Sequence, residues 1–87
     1  MKKVIKRNGN EETFDKNKII NAVCAAFNDV DNEISDFAKA KASDIANYIS
    51  KLEDNTPVEE IQDIVEDKLM ACNRKDVARA YIRYRYN

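Results

Sequence analysis

The sequence predicts a small α+β domain in which a helical bundle carries an N-terminal β-hairpin as its cap. Three observations point there. Asn8-Gly9 sits between two short β-type runs, four later segments repeat apolar residues at spacings of three and four, and helix-start and helix-stop residues divide those segments. At 87 residues the chain is long enough for one core and too short for a core plus a second domain, so one unit over 1–87 is expected.

Val4-Ile5-Lys6-Arg7 before Asn8-Gly9, and Glu12-Thr13-Phe14 after it, predict a hairpin over about 3–14 closed by a primed turn that needs positive φ. Asp15 is placed to cap a first helix over about 16–29, where Ile19, Val23, Ala26, Phe27 and Val30 form one stripe that Ile20 and Cys24 widen. After the polar stretch 28–35, the residues Ala38, Ala42, Ile45, Ile49 and Leu52 share a face of a second helix over about 35–53, ending near Asp54-Asn55. Thr56-Pro57-Val58-Glu59 reads as a capping box with proline at the first helical position. It opens a third helix over about 57–72, with Ile61, Ile64, Val65, Leu69 and Cys72 inward. Asn73 is a stop signal, and Val77, Ala80, Tyr81 and Tyr84 mark a fourth helix over about 75–86. That last pattern still runs at Asn87, which predicts a piece of something longer. A two-stranded hairpin is marginal in water, so it must lie against the helices.

A composition of 44% hydrophobic and 36% charged residues excludes a disordered, collagen-like or membrane-spanning chain. Fifteen Lys plus Arg against sixteen Asp plus Glu leave a formal charge of -1, which argues against a nucleic-acid partner and requires any anion site to be local. Val4 and Ile5 are followed at once by Lys6 and Arg7, so neither a signal peptide nor a membrane helix is read and a cytoplasmic location is expected. Cys24 and Cys72 lack C-x-x-C spacing and a histidine partner. They read as small buried hydrophobes in a reducing compartment, with a redox or metal role as the alternative.

Local cations do occur. Lys6-Arg7 precede the turn, and Lys16 and Lys18 stand in the first turn of the first helix, where the helix dipole favours acids and lysines cost a few tenths of a kcal/mol. A phosphate there would remove the conflict by accepting hydrogen bonds from the cations and from free helix N–H groups. The plainer reading has the lysines splaying into solvent. Gly9 is isolated, and neither G-x-x-x-x-G-K-[ST] nor G-x-G-x-x-G occurs, so a nucleotide site would be of another construction. The basic-aromatic tail 79–86 can stack bases or close an interface; alternatively Tyr81 and Tyr84 pack on Val77 while the arginines pair with acids. No histidine, G-x-S-x-G motif or partnered cysteine supplies catalytic machinery, so the chain is not expected to be an enzyme by itself.

Val4-Ile5-Lys6-Arg7-Asn8-Gly9, then Glu12, Phe14-Asp15 and Lys18-Ile19, and after two helices Thr56 and Glu60-Ile61, resemble the ATP-cone. This is a regulatory domain of ribonucleotide reductases and of their transcriptional repressor. The ending Leu69-Met70 and Ala78-Arg79-Ala80-Tyr81-Ile82-Arg83-Tyr84-Arg85 is similar to the anaerobic, glycyl-radical reductases in particular. The resemblance implies four helices under a β-hairpin or small sheet. It also implies ATP or dATP, with Mg2+, bound between the two, switching a parent anaerobic ribonucleoside-triphosphate reductase through altered subunit association. Its implied nucleotide residues are Val4, Lys6 and Arg7 on the first strand, with Lys18 also near the phosphates, and Glu12 and Thr56 at the base. Asp15 matches a position that can touch the nucleotide, and Glu60 stands where some reductases carry histidine. Implied partners are the parent's catalytic domain and other cones. A repressor cone, a nucleic-acid module and a nucleotide-indifferent assembly domain are the competing expectations; the repressor carries a Cys-rich zinc ribbon ahead of its cone, whereas here only Met1 to Lys3 precede the hairpin.

Overall fold

A computed structural model describes residues 1–85. The two strands β1 (Lys3–Ile5) and β2 (Glu11–Thr13) are followed by α1 (Lys16–Asp31), α2 (Asp36–Ser50), a short β3 (Thr56–Pro57), α3 (Val58–Ala71) and α4 (Lys75–Tyr84). Tyr86, expected to close the fourth helix and its tail, lies outside the described residues.

The hairpin forms where expected, with Lys3 opposite Thr13 and Ile5 opposite Glu11. Its turn is not primed. Gly9 N–H donates to Lys6 O at 2.9 Å, closing a four-residue turn in which Gly9 alone has positive φ, at 86°. A primed turn would need positive φ at Arg7; here the one strained position is moved to the glycine that follows the turn, as in a G1 bulge. Asn8 Oδ1 accepts from Asn10 N–H at 3.0 Å and stiffens the loop.

Thr56 and Pro57 depart from expectation. They do not begin a helix with a capping box: Thr56 and Pro57 pair in parallel with Val4 and Ile5, making a three-stranded sheet of order β2-β1-β3. The Thr56 hydroxyl turns back and donates to Glu53 O at 2.7 Å, so it caps nothing, and Pro57 stands outside α3 with extended ψ of 142°. The sequence signal was ambiguous because proline's φ near −65° suits a helix start and an edge strand equally. The second helix also ends at Ser50, sooner than expected, and the left-handed residue Asn55 falls in the connection to β3.

Asp15 does cap α1, accepting from Asn17 N–H at 2.9 Å, and Ser35 caps α2 through Ala38 N–H at 3.1 Å. Asn32 and Asn73 close α1 and α3 in the left-handed region, where asparagine is tolerated better than most residues. Helix α1 lies against both α2 and α4, and α3 packs on α4. The core between them includes Val23, Phe27, Ile45, Ile49, Val65, Leu69 and Val77, all closed to solvent. Val30 is exposed, Leu52 and Tyr84 are half-buried, and Cys24 and Cys72 are half-buried free thiols. Burial pushes the Cys24 thiol up, away from its reactive thiolate form.

The sheet is fastened from outside its ladder. Asp54 Oδ1 accepts from the backbone N–H groups of Lys2 and Lys3, the latter at 3.2 Å, while Asn55 N–H donates to Lys3 O at 2.9 Å. This holds β1 against the start of α3 and so fixes where the turn carrying Lys6 and Arg7 projects. No helix among the described residues is long and apolar enough to cross a membrane.

Candidate functional site

Between the turn of the hairpin, the start of α1, the start of α3 and the end of α4 lies a cavity of about 390 Å³. The hairpin gives Lys6, Arg7, Asn8 and Glu12, and α1 gives Lys18, Ile19 and Ala22. Val58, Ile61 and Gln62 come from α3, and Tyr81, Tyr84 and Arg85 from α4 and its end. Its size is that of a small-molecule site, and its wall is divided by chemistry. The lining side chains Lys6, Arg7, Lys18 and Arg85 are cationic, Glu12 is the one lining carboxylate among the described residues, and isoleucines, Val58 and two tyrosines supply an apolar surface. A wall of that kind suits a flat ring joined to a polyanion.

Among the described residues, four of the five lining charges, Arg7, Glu12, Lys18 and Arg85, are held by partners in the fold. Lys18 bonds and pairs with the Glu12 carboxylate, which lowers the Glu12 pKa and raises that of Lys18. Arg7 donates from Nη2 to Gln62 Oε1 at 3.2 Å, and its Nε stands 3.9 Å from Glu59 Oε1. Arg85 pairs with the Glu66 carboxylate, both side chains being largely shielded at 18% and 22% exposure. Tyr81 is 3% exposed, and its hydroxyl is pushed up to about 12, first by burial and then by Glu66, with Arg85 opposing. It stays neutral at any physiological pH, a fixed apolar wall with a polar tip.

Of the residues expected at the site, the structure brings Lys6, Arg7, Glu12 and Lys18 together on one cavity. Val4 is buried in the central strand behind them, at 8% exposure. Asp15 is occupied as the cap of α1, Thr56 is buried beside Val4 with its hydroxyl on Glu53 O, and Glu60 is exposed on α3; none of these three lines the cavity. Lys16, grouped with the cations in sequence, points elsewhere: its Nζ donates to Asn47 Oδ1 of α2 at 3.1 Å. Gln62 was not singled out in sequence, while Tyr84 and Arg85 were read there as part of the basic-aromatic tail 79–86 and not among the nucleotide residues. Gln62 did leave a signal, being a polar residue between Ile61 and Val65 on the face that α3 buries.

An ATP cone domain model matches residues 2–87. The chain belongs to the ATP-cone family. Domains of this family are generally regulatory parts of ribonucleotide reductases and bind ATP or dATP as effectors. The cone described here is 38% identical over 97% of its length to an anaerobic ribonucleoside-triphosphate reductase of Haemophilus influenzae, of which it covers 12%. It is 39% identical over 98% of its length to a vitamin B12-dependent ribonucleoside-diphosphate reductase of Thermoplasma acidophilum, again covering 12%. A ribonucleoside-diphosphate reductase subunit alpha of Treponema pallidum is 36% identical over 94% of the chain, which spans 10% of that protein. The cone thus spans about one eighth or less of the curated relatives it matches.

The lining groups do not fit a protein-held magnesium ion. Among the described residues Glu12 is the one lining carboxylate, and no three His, Cys, Asp or Glu side chains gather closely enough to hold a metal.

Proposed function

We propose that this cone is an allosteric sensor of adenine nucleotide, taking ATP or dATP into the cavity beneath the hairpin and controlling the activity of an anaerobic ribonucleoside-triphosphate reductase. The observation that carries the reading is the convergence of Lys6, Arg7, Lys18 and Arg85 on one cavity in a chain whose formal charge is -1. Three of these cations each share a carboxylate, Lys18 with Glu12, Arg7 with Glu59 and Arg85 with Glu66, and a triphosphate, carrying more charge than any one of those carboxylates, can compete for them through charge-assisted hydrogen bonds.

Phosphates sit against Lys6, Arg7 and Lys18, and the apolar wall of Ile61 and Tyr84 receives the base. A phosphate competes with Glu12 for Lys18; once released, the Glu12 carboxylate can accept from the adenine amine or a ribose hydroxyl. Val4 and Thr56 act from behind, holding the strand that carries Lys6 to the start of α3, and Asp15 fixes the helix start that carries Lys18. A nucleotide that prefers one arrangement of hairpin and helices shifts the parent's equilibrium by that difference, typically about 1 to 3 kcal/mol. The ending Ala78-Arg79-Ala80-Tyr81-Ile82-Arg83-Tyr84-Arg85 supports the anaerobic parent, as does the similarity to the Haemophilus reductase.

Calorimetric titration of the chain with ATP, dATP and GTP tests the reading. Saturable uptake of ATP and dATP, with GTP bound more weakly, is the expected result. Equal indifference to all three would remove it, and affinity for oligonucleotides that collapses with added salt would replace it with a nucleic-acid module.

A further inference from the structure

Two polar side chains are buried among the described residues, Thr56 and Gln62, and of the two only Gln62 belongs to the cavity wall. An amide at 5% exposure is costly unless both its ends are satisfied, and Gln62 satisfies them with groups from two other parts of the chain. Oε1 accepts from Arg7 Nη2 at 3.2 Å on the hairpin turn, 55 residues away; Nε2 donates to the main-chain oxygen of Arg85 at 3.1 Å, at the end of α4. We infer that Gln62 is the positioning residue of the nucleotide site: it aims Arg7 into the cavity and ties that arginine to the C-terminal end of α4. The inference rests on the nucleotide reading above.

The neighbours of Gln62 show why an amide is needed there. Glu59, Gln62 and Glu66 lie three and four residues apart on one face of α3. Glu59 stands by Arg7 and Glu66 pairs with Arg85, so each arginine already has a carboxylate within reach. A carboxylate in the middle would cancel the charge that Arg7 brings to the cavity and would repel the Arg85 carbonyl. An apolar residue would hold neither group, and Arg7 would be drawn onto Glu59. A neutral amide has both an acceptor and a donor, so it orients the guanidinium without cancelling it and grips the end of α4 at the same time. When phosphate draws on Arg7, the same side chain carries the change to Arg85, through a continuous chain of hydrogen bonds.

A double-mutant cycle tests this. ATP is titrated calorimetrically into the wild-type chain, Arg7→Ala, Gln62→Met and the double variant; methionine keeps the length and volume of glutamine without its hydrogen bonds. Gln62→Met should lower affinity about tenfold, and in the Arg7→Ala background it should change affinity by no more than about twofold. Losses that add, or a Gln62→Met variant that binds like wild type, overturn the inference. Backbone amide NMR in the same titration reads the second half: resonances of residues 81–85 should move further with ATP in the wild type than in saturated Gln62→Met, where only the direct effect of the base on the cavity wall remains. Shifts of equal size in both proteins would overturn the link to α4. Gln62→Glu guards against misfolding of the methionine variant, and should bind ATP more weakly than Gln62→Met because its carboxylate captures Arg7; wild-type affinity there overturns the positioning role. A wild-type chain that takes up no ATP would overturn the nucleotide reading itself, and this inference with it.

Discussion

Between α1 and α2 the packing is dry, with Val23, Ala26, Phe27, Ala42, Ala46 and Ile49 fully buried. Across the molecule, the three strands contribute one buried apolar side chain among the described residues, Val4, and are fixed by Asp54 on the backbone of Lys2 and Lys3 and by Arg7 on Gln62. The first region makes a fold by removing carbon from water; the second leaves charge around a space and holds it by hydrogen bonds. Small alanines such as Ala26, Ala42 and Ala46 suit a close approach of α1 and α2, whereas the long cationic side chains of Lys6 and Arg7 in the turn line the space between the hairpin and α3 and α4. Stability and binding should therefore respond to different substitutions.

The largest effect tests the dry side. Phe27→Ala should cost about 3 to 5 kcal/mol in urea denaturation, a large share of the roughly 5 to 15 kcal/mol available to a domain, and ATP binding should fall only as far as folding does. A folded Phe27→Ala domain with wild-type stability would erase the contrast. Arg7→Ala comes next and should act in the opposite sense. ATP affinity should weaken by about 1.5 to 3 kcal/mol, while thermal melting moves by less than about 1 kcal/mol because the side chain is half exposed and water can reach Gln62 through the cavity. A smaller loss is expected from Gly9→Ala. No atom stands within 4 Å of an added Cβ, so the cost is the backbone's alone, about 1 kcal/mol at φ of 86°. Chemical denaturation would register it, and a larger loss would mean that the turn packs more tightly than its surroundings show.

The smallest effect appears only in acid. The backbone N–H of Lys2, then that of Lys3, hold the Asp54 carboxyl below the usual carboxylate range. A folded pKa below the unfolded value near 3.9 means that this contribution is complete above about pH 4 and is lost as pH falls through the folded value. Melting temperature plotted against pH should therefore drop on the acid side, and Asp54→Asn should flatten part of that drop while lowering the plateau at neutral pH. An identical acid limb in the variant would show that the hairpin end is not held by this carboxylate.

Much of this arrangement could be read from the chain before it was folded. Helical periodicity placed all four helices because a stripe such as Ile19, Val23, Ala26 and Phe27 has only one way to leave water. Asp15 and Asn73 marked ends because their side chains and backbone preferences act locally. Thr56-Pro57 misled for the converse reason: whether it joins a helix or a sheet is decided by Val4, far away in sequence. The cations Lys6, Arg7 and Lys18 were visible because they sit where local electrostatics disfavour them or crowd them. Gln62 was not, since partners 55 and 23 residues away leave no periodic trace, and Arg85 showed only as part of the basic-aromatic tail 79–86. Gln62 showed only as a polar interruption in a buried face.

The parallel pairing of β1 with β3 has a consequence for how the molecule assembles. Its outer fastening joins Lys2 to Asp54 across 52 residues, and the entropy of closing so long a loop grows with its length. Formation of α1 and α2 would shorten that span, so the third strand is expected to dock late and the cavity beneath the hairpin to form near the end of folding rather than at its nucleus. Substitutions around the cavity should then quicken unfolding and leave the refolding rate almost untouched, and bound nucleotide should lengthen the lifetime of the native state through the same limb.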